Sequence, residues 1–234
     1  MHPGFVLSAV LFAGPAHAQA PTAHMDTTLY TDLPTSIGLR GTVELPSRLR
    51  LSLGGGVFPS AYLSGIQSVA TAAGWYSESL ANLIDQALSR AYVVQPRVGF
   101  RPWQQHGFYF GGGVQRVFAT GAEAGSGDVT RALEDAEPID ANTGGYFLKS
   151  RLTMLTVETG WEWCLAERWM VRANLGGAFT VGAHTEATPL VSDAAPLQRL
   201  REAGRTALES YLNQTYLQYV HTPTVGVEVG YRFR

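Results

Sequence analysis

Lysine is almost missing from this chain: Lys149 is the only one among 17 basic side chains. Charge of either sign is scarce, at 15% of residues against the roughly 25% ordinary in a soluble domain. With a net charge of −2 and a pI near 6.3, nothing in the bulk charge calls for nucleic acid. Cysteine occurs once, as Cys164, which excludes an internal disulfide; no histidine is near it in sequence, and it reads as a packing residue. Past the N-terminal region no stretch runs the ~20 apolar residues that a membrane helix needs. What is abundant is apolar side chain, 45%, and glycine, 26 residues, which excludes intrinsic disorder. At 234 residues the chain makes one ordinary domain or two small ones.

Gly4–Gly14 is an apolar run too short to span a bilayer, followed by the small-x-small pattern Ala16-His17-Ala18. This reads as an export signal over residues 1–18, although its start carries His2 and no Lys or Arg. The alternative is a buried strand or helix. An N-terminal segment is assigned to 19–29 and the folded domain to 30–234.

The main signal is alternation, which in a strand sends successive side chains to opposite faces. Val225, Val227, Val229, Tyr231 and Phe233 share one face against Thr224, Gly226, Glu228, Gly230 and Arg232. The same pattern covers 37–45, 49–57, 92–101 and 169–182. Over 146–163 it changes phase, from Leu148, Leu152 and Met154 to Leu155, Val157, Trp161 and Trp163. An extra residue does this, so a β-bulge is expected near Met154–Leu155. A soluble sandwich would also alternate, but its polar face would meet water. Here that face is Gly, Ser, Thr and Ala with sparse charge of both signs, as suits the interior of a narrow barrel. The other face is Val, Leu and Phe, as suits lipid, and the strands are ~10 residues or longer.

Short connections at Pro46–Arg48, Trp103–Gly107 and Cys164–Arg168 alternate with long ones at about 60–90, 120–145 and 184–216. Tyr92-Val-Val-Gln-Pro96 matches Tyr219-Val-His-Thr-Pro223, Tyr30-Thr-Asp-Leu-Pro34 is a third copy, and Tyr146 opens a fourth strand. Hairpin units therefore follow one another. The tyrosines Tyr30, Tyr92, Tyr146 and Tyr219 would mark one membrane interface. Trp103, Trp161, Trp163, Trp169, Tyr231 and Phe233, beside the short turns, would mark the other. The glycine triplets at 54–56 and 111–113 are followed by more strand, so a phosphate cradle at a helix start does not apply. Helical periodicity occurs over 78–90 and 196–212, the latter with Asp193 as N-cap. The middle loop gathers Glu123, Asp128, Glu134, Asp135, Glu137 and Asp140 in no EF-hand spacing. No metal site or cofactor is expected.

These features together resemble the small eight-stranded outer-membrane β-barrels of Gram-negative bacteria over roughly residues 28–234. The alternating C-terminal strand ending in Phe233 is the most specific part, though Arg234 follows where the family usually stops on the aromatic. The resemblance implies an all-β, antiparallel up-and-down transmembrane barrel of eight strands with helical insertions in the long loops. It implies outer-membrane lipid and lipopolysaccharide as surroundings, and the barrel-assembly machinery as reader of the last strand. Direct reading finds seven strands, at about 30–45, 48–58, 91–102, 107–119, 146–163, 168–184 and 217–233. Closure needs an even number. The eighth lies before residue 30, or one segment folds as two.

In such a barrel the lumen would receive Arg40, Arg50, Arg97, Arg101, Lys149, Arg151, Arg172 and Arg232, with Glu44, Glu158, Glu162 and Glu228. That is eight positive groups against four negative. Eight strands leave only room for side chains, so an arginine–glutamate network plugging the barrel is expected. The function is then structural, or surface interaction through the long loops. Two alternatives remain open. One is a narrow anion-preferring pore using the surplus arginines. The other is a lipid-modifying enzyme, for which His184, Glu186 and Ser60 or Ser192 are the only assembly on offer; no catalytic residue is assigned.

Overall fold

The computed structural model describes residues 23–59, 91–103, 106–124, 146–165, 167–190 and 198–233. The expected signal peptide, the helix at 78–90 and most of the acidic loop lie outside them. Eight strands run in chain order: β1 (His24–Leu33), β2 (Ser36–Glu44), β3 (Leu49–Val57), β4 (Ala91–Phe100), β5 (Phe108–Ala124), β6 (Tyr146–Cys164), β7 (Trp169–Pro189) and β8 (His221–Phe233). Each pairs antiparallel with the next, and β1 pairs with β8, so the sheet closes without an edge. The fold is an eight-stranded up-and-down barrel.

The eighth strand lies mostly before residue 30 and takes its last four residues from the segment read as 30–45. Residues 30–45 form no single strand, because the chain reverses at Asp32–Thr35. There the Thr35 amide donates to the Asp32 carbonyl at 2.6 Å. Asp32-Leu33-Pro34-Thr35 is ordinary turn chemistry inside an alternating pattern that runs on either side of it. The barrel therefore begins at His24, not at residue 30, and most of the segment assigned to 19–29 is β1.

Both ends of the barrel are defined by their connections. Pro46–Arg48, 101–107 and 165–168 make the short-turn end. Arg48 is left-handed there (φ 68°) and donates from Nη1 to the Pro102 carbonyl at 2.6 Å. β5, β6 and β7 are 17, 19 and 21 residues long, against 9 or 10 for β1–β4, so one side of the wall rises past the other at the long-loop end.

The barrel is apolar outside and polar within. Leu29, Leu39, Leu53, Val98, Val157, Leu175 and Val227 are exposed on the wall, while Asp26, Arg40, Arg97, Glu162, Arg172 and Glu228 are buried inside. Near the long-loop end the interior changes character. Ala91, Val93, Val117, Tyr146, Leu148, Leu152 and Met154 form an apolar core with Leu208, Leu212 and Tyr216 of α1 (Gln198–Tyr219). This helix lies over the inward face of β7, where Glu209 Oε1 accepts from the Ala187 amide at 2.9 Å. It runs on to Tyr219, where alternation alone places strand from 217. Burial pushes the Tyr216 phenol above its ordinary pKa, and the neighbouring Ser150 hydroxyl pulls the other way. A charge at Leu212 has no place in this core. Leu212→Asp should release the helix to limited proteolysis while the strands stay protected.

That layering also explains the phase change in β6. Even positions face inward throughout the strand. Leu148, Leu152 and Met154 are apolar because they line the upper core, and Leu155 and Val157 because they face out. The extra residue sits in the partner strand. Thr153 pairs with Gly182 but Met154 pairs with Thr180, so the bulge is at Val181 of β7.

Candidate functional site: the interior charge network

Strand periodicity brings six guanidinium groups and six carboxylates into the lower interior: Arg40, Arg50, Arg97, Arg101, Arg172 and Arg232 with Asp26, Asp32, Glu44, Glu158, Glu162 and Glu228. Ten of these are among the twelve expected from sequence. Arg172, 1% exposed, is the hub. Its Nη1 and Nη2 clasp the Asp26 carboxylate at 3.0 and 2.5 Å, its Nε donates to Glu162 Oε2 at 2.7 Å, and Nη1 also reaches Glu228 Oε2 at 3.3 Å. A planar fork against a carboxylate is the arrangement in which ion pairs are strongest.

A second knot is centred on Asp32. Arg40 and Arg97 both donate to Asp32 Oδ2, at 2.9 and 2.7 Å, and both to Gln95 Oε1 at 2.9 Å. Arg40 also pairs with Glu228, and Arg97 with Glu158. Gln95 passes the network on to Ser36 and Gln115 at 2.8 and 3.0 Å. Nearer the short turns, Arg101 bridges Glu44 (3.1 Å) and Glu162 (2.9 Å), and Arg232 reaches Glu162 at 2.6 Å. Arg50 stands 3.8 Å from both Glu44 and Glu162 and lies over the Tyr109 ring, as Arg40 lies over Tyr30.

Two expected members are elsewhere. Lys149 and Arg151 fall on odd positions of β6 and are exposed on the outer wall, Arg151 beside Glu186. Two were missed. Asp26 and Asp32 are in phase with Thr28 and Tyr30 on β1, which reads as a strand only once the turn at Pro34 is placed. Exchanging two cations for two anions turns an expected surplus of four positive charges into a balance of six against six among the described residues.

The aromatic residues divide in the same way. Trp103, Phe108 and Trp161 cluster at the short-turn end, with centroids 5.7 and 6.4 Å apart. Trp169, Tyr231 and Phe233 make a second cluster at 5.7 and 5.5 Å, and Trp163 is exposed on β6, paired with Val171. At the other end Tyr92 faces out, beside Phe118 across the strands. Tyr30 and Tyr146 point inward and are fully buried, so neither belongs to a girdle. The repeated Tyr-x-x-x-Pro marks strand ends in sequence, but in β1 it precedes a turn where in β4 it opens a strand. Tyr219 ends α1. Cys164, expected to pack, is exposed at the short-turn mouth. His184 Nε2 is 3.4 Å from Glu186 Oε1 on the wall, whereas Ser60 and Ser192 lie outside the described residues.

No protein-family model matches the sequence, and a search of curated proteins gives no match. Solved structures of similar form include the N-terminal β-barrel domain of Pseudomonas aeruginosa OprF (10% identity, 90% of this chain and 96% of that one, TM-score 0.41). Acinetobacter baumannii CarO is another (14% identity, 90% and 97%, TM-score 0.39), as is CarO2 of the same organism (13%, 92% and 100%, TM-score 0.37). At such identity the likeness is one of barrel form alone.

Proposed function

We propose that the protein is an integral outer-membrane β-barrel of a Gram-negative envelope, with its lumen plugged by the arginine–carboxylate network and its role structural or surface-interacting through the long loops. The observation that carries this is the inverted polarity of the barrel. A wall of exposed Leu, Val and Phe around a core of paired charges is unfavourable in water and natural in hydrocarbon. The aromatic clusters at the short turns fit an interfacial girdle. Lipid and lipopolysaccharide are then its surroundings, and the last strand, β8, is its recognition element for barrel assembly.

Plugging is favoured over an anion pore by the balance of charge. Arginines already held by carboxylates offer a passing anion no net field. The space among Arg40, Arg50, Arg97, Tyr109 and Glu158 is about 20 Å3, room for a single water. The upper core and α1 lie across the other end. Envelope fractionation with boiled and unboiled SDS gels tests the reading. The protein is expected in the outer-membrane fraction with a band that shifts on boiling, and in planar bilayers it should give no conductance steps. A soluble periplasmic protein with no shift would overturn the membrane reading, and discrete anion-selective steps would overturn the plug.

A further inference from the structure

The outer wall is uncharged around most of its circumference. Among the described side chains, the formally charged groups on outward strand positions are Arg116 of β5, Lys149 and Arg151 of β6, and Glu186 of β7. All four lie on three adjacent strands toward the long-loop end, with His184 among them. Pairing makes one cross-strand row of Tyr92, Phe118, Arg151 and His184. Arg116 sits one row lower, opposite Thr153 and diagonal to Arg151, a spacing of ~7–8 Å that two long side chains span easily. Lys149 pairs across to Glu186 one row higher. Beside and below the patch the wall is apolar, with Val94 level with Arg116 and Val114, Leu155 and Val157 beneath.

Among the described residues these cations are not consumed by partners within the protein. Arg151 is 64% exposed and stands 3.8 Å from Glu186, the one carboxylate among the described side chains of the patch, which His184 shares at 3.4 Å. Among the described side chains, three fixed cations against one anion make the patch basic on a chain whose net charge is −2. A cation at the edge of an apolar wall costs least where its head can reach a layer of anions, and each basic group there adds attraction to anionic lipid.

We propose that Arg116, Lys149 and Arg151, with His184, form a binding site for the phosphate groups of a phosphorylated glycolipid in the outer leaflet, its acyl chains lying on the apolar wall below. The occupant is lipid rather than a soluble anion because the patch is continuous with that wall and faces away from the lumen. The inference rests on the outer-membrane reading above.

The test titrates the folded full-length barrel, in zwitterionic detergent, with diphosphorylated lipid A dispersed in the same detergent. Saturable binding is expected, weakened at least tenfold in the Arg116→Gln/Arg151→Gln protein, tightened in Glu186→Gln, and unchanged in Arg168→Gln at the opposite end. Lipid stripped of its phosphates should bind at least tenfold more weakly. Equal binding of the stripped lipid, or no effect of either wall substitution, would overturn the site. Displacement by inorganic phosphate at equal concentration would overturn the lipid assignment. If the double variant does not fold, Glu186→Gln and the fall of binding with added salt decide. Each protein is first checked for its heat-shifted band. Loss of the shift in the unsubstituted protein would sink the barrel-in-membrane reading, whereas a retained shift without phosphate dependence sinks this inference alone.

Discussion

Arg172→Ala is expected to lower the unfolding free energy of the barrel by about 3–5 kcal/mol, the usual consequence of removing one partner from a buried ionic cluster. Among the described residues Arg172 is the only hydrogen-bonding cation on Asp26, and it also holds Glu162 and Glu228. Without it, six carboxylates of a low-dielectric interior share five guanidinium groups, none of them placed on Asp26. Urea titration in lipid or detergent, scored by the fraction of heat-shifted band, measures the loss. Arg151→Ala, removing an exposed cation from the outer wall, should change stability by less than ~1 kcal/mol. Equal stability of Arg172→Ala and the unsubstituted protein would mean that water already solvates the network, and the plugged lumen would fall with it.

Gly38→Val should prevent the barrel from closing. Gly38 faces Gly56 in the β2–β3 register, and a Cβ built on it would fall inside the backbone of Gly55 and Gly56. Backbone cannot swing aside as a side-chain tip does, so the two strands must part at that seam. The cost exceeds the 1–3 kcal/mol of ordinary overpacking, because ladder hydrogen bonds go as well. Gly41, three residues along the same strand, points outward, and a Cβ there meets nothing within 4 Å. Gly41→Val should fold at least as well as the unsubstituted chain, since β-branched residues favour strands. Loss of the heat-shifted band in Gly38→Val and its retention in Gly41→Val would check the pair in one gel. Folding of both would mean that β2 and β3 are spaced more widely than their register implies.

How much of this was legible beforehand depends on what each residue had to distinguish. Period-two alternation is a local property, so the strands at 49–57, 91–100 and 169–182 could be read from the chain with their inward faces. So could Arg40, Arg97, Arg172 and Glu228 as interior residues. The turn at Pro34 was written in turn-forming residues, yet alternation on both sides made it look like the middle of one strand, and Asp26 and Asp32 were lost with it. Lys149 and Arg151 were misplaced for a different reason. The sequence around them is apolar on even positions because those line the upper core, and a rule that sends every apolar residue to lipid reads that stretch inside out.

By itself, the sequence determined that this is an all-β chain of hairpins, apolar on one face and polar on the other, with aromatics beside its short turns. Those are consequences of local spacing and composition. Only the tertiary structure decided which strand opens the barrel, which charges meet, and that they balance six against six. Each of these depends on register between segments up to two hundred residues apart, as between Thr28 and Glu228. The layered interior and the basic patch on the described outer wall were decided there too. A side chain's face follows from its neighbours in sequence, but what lies on that face follows from closure.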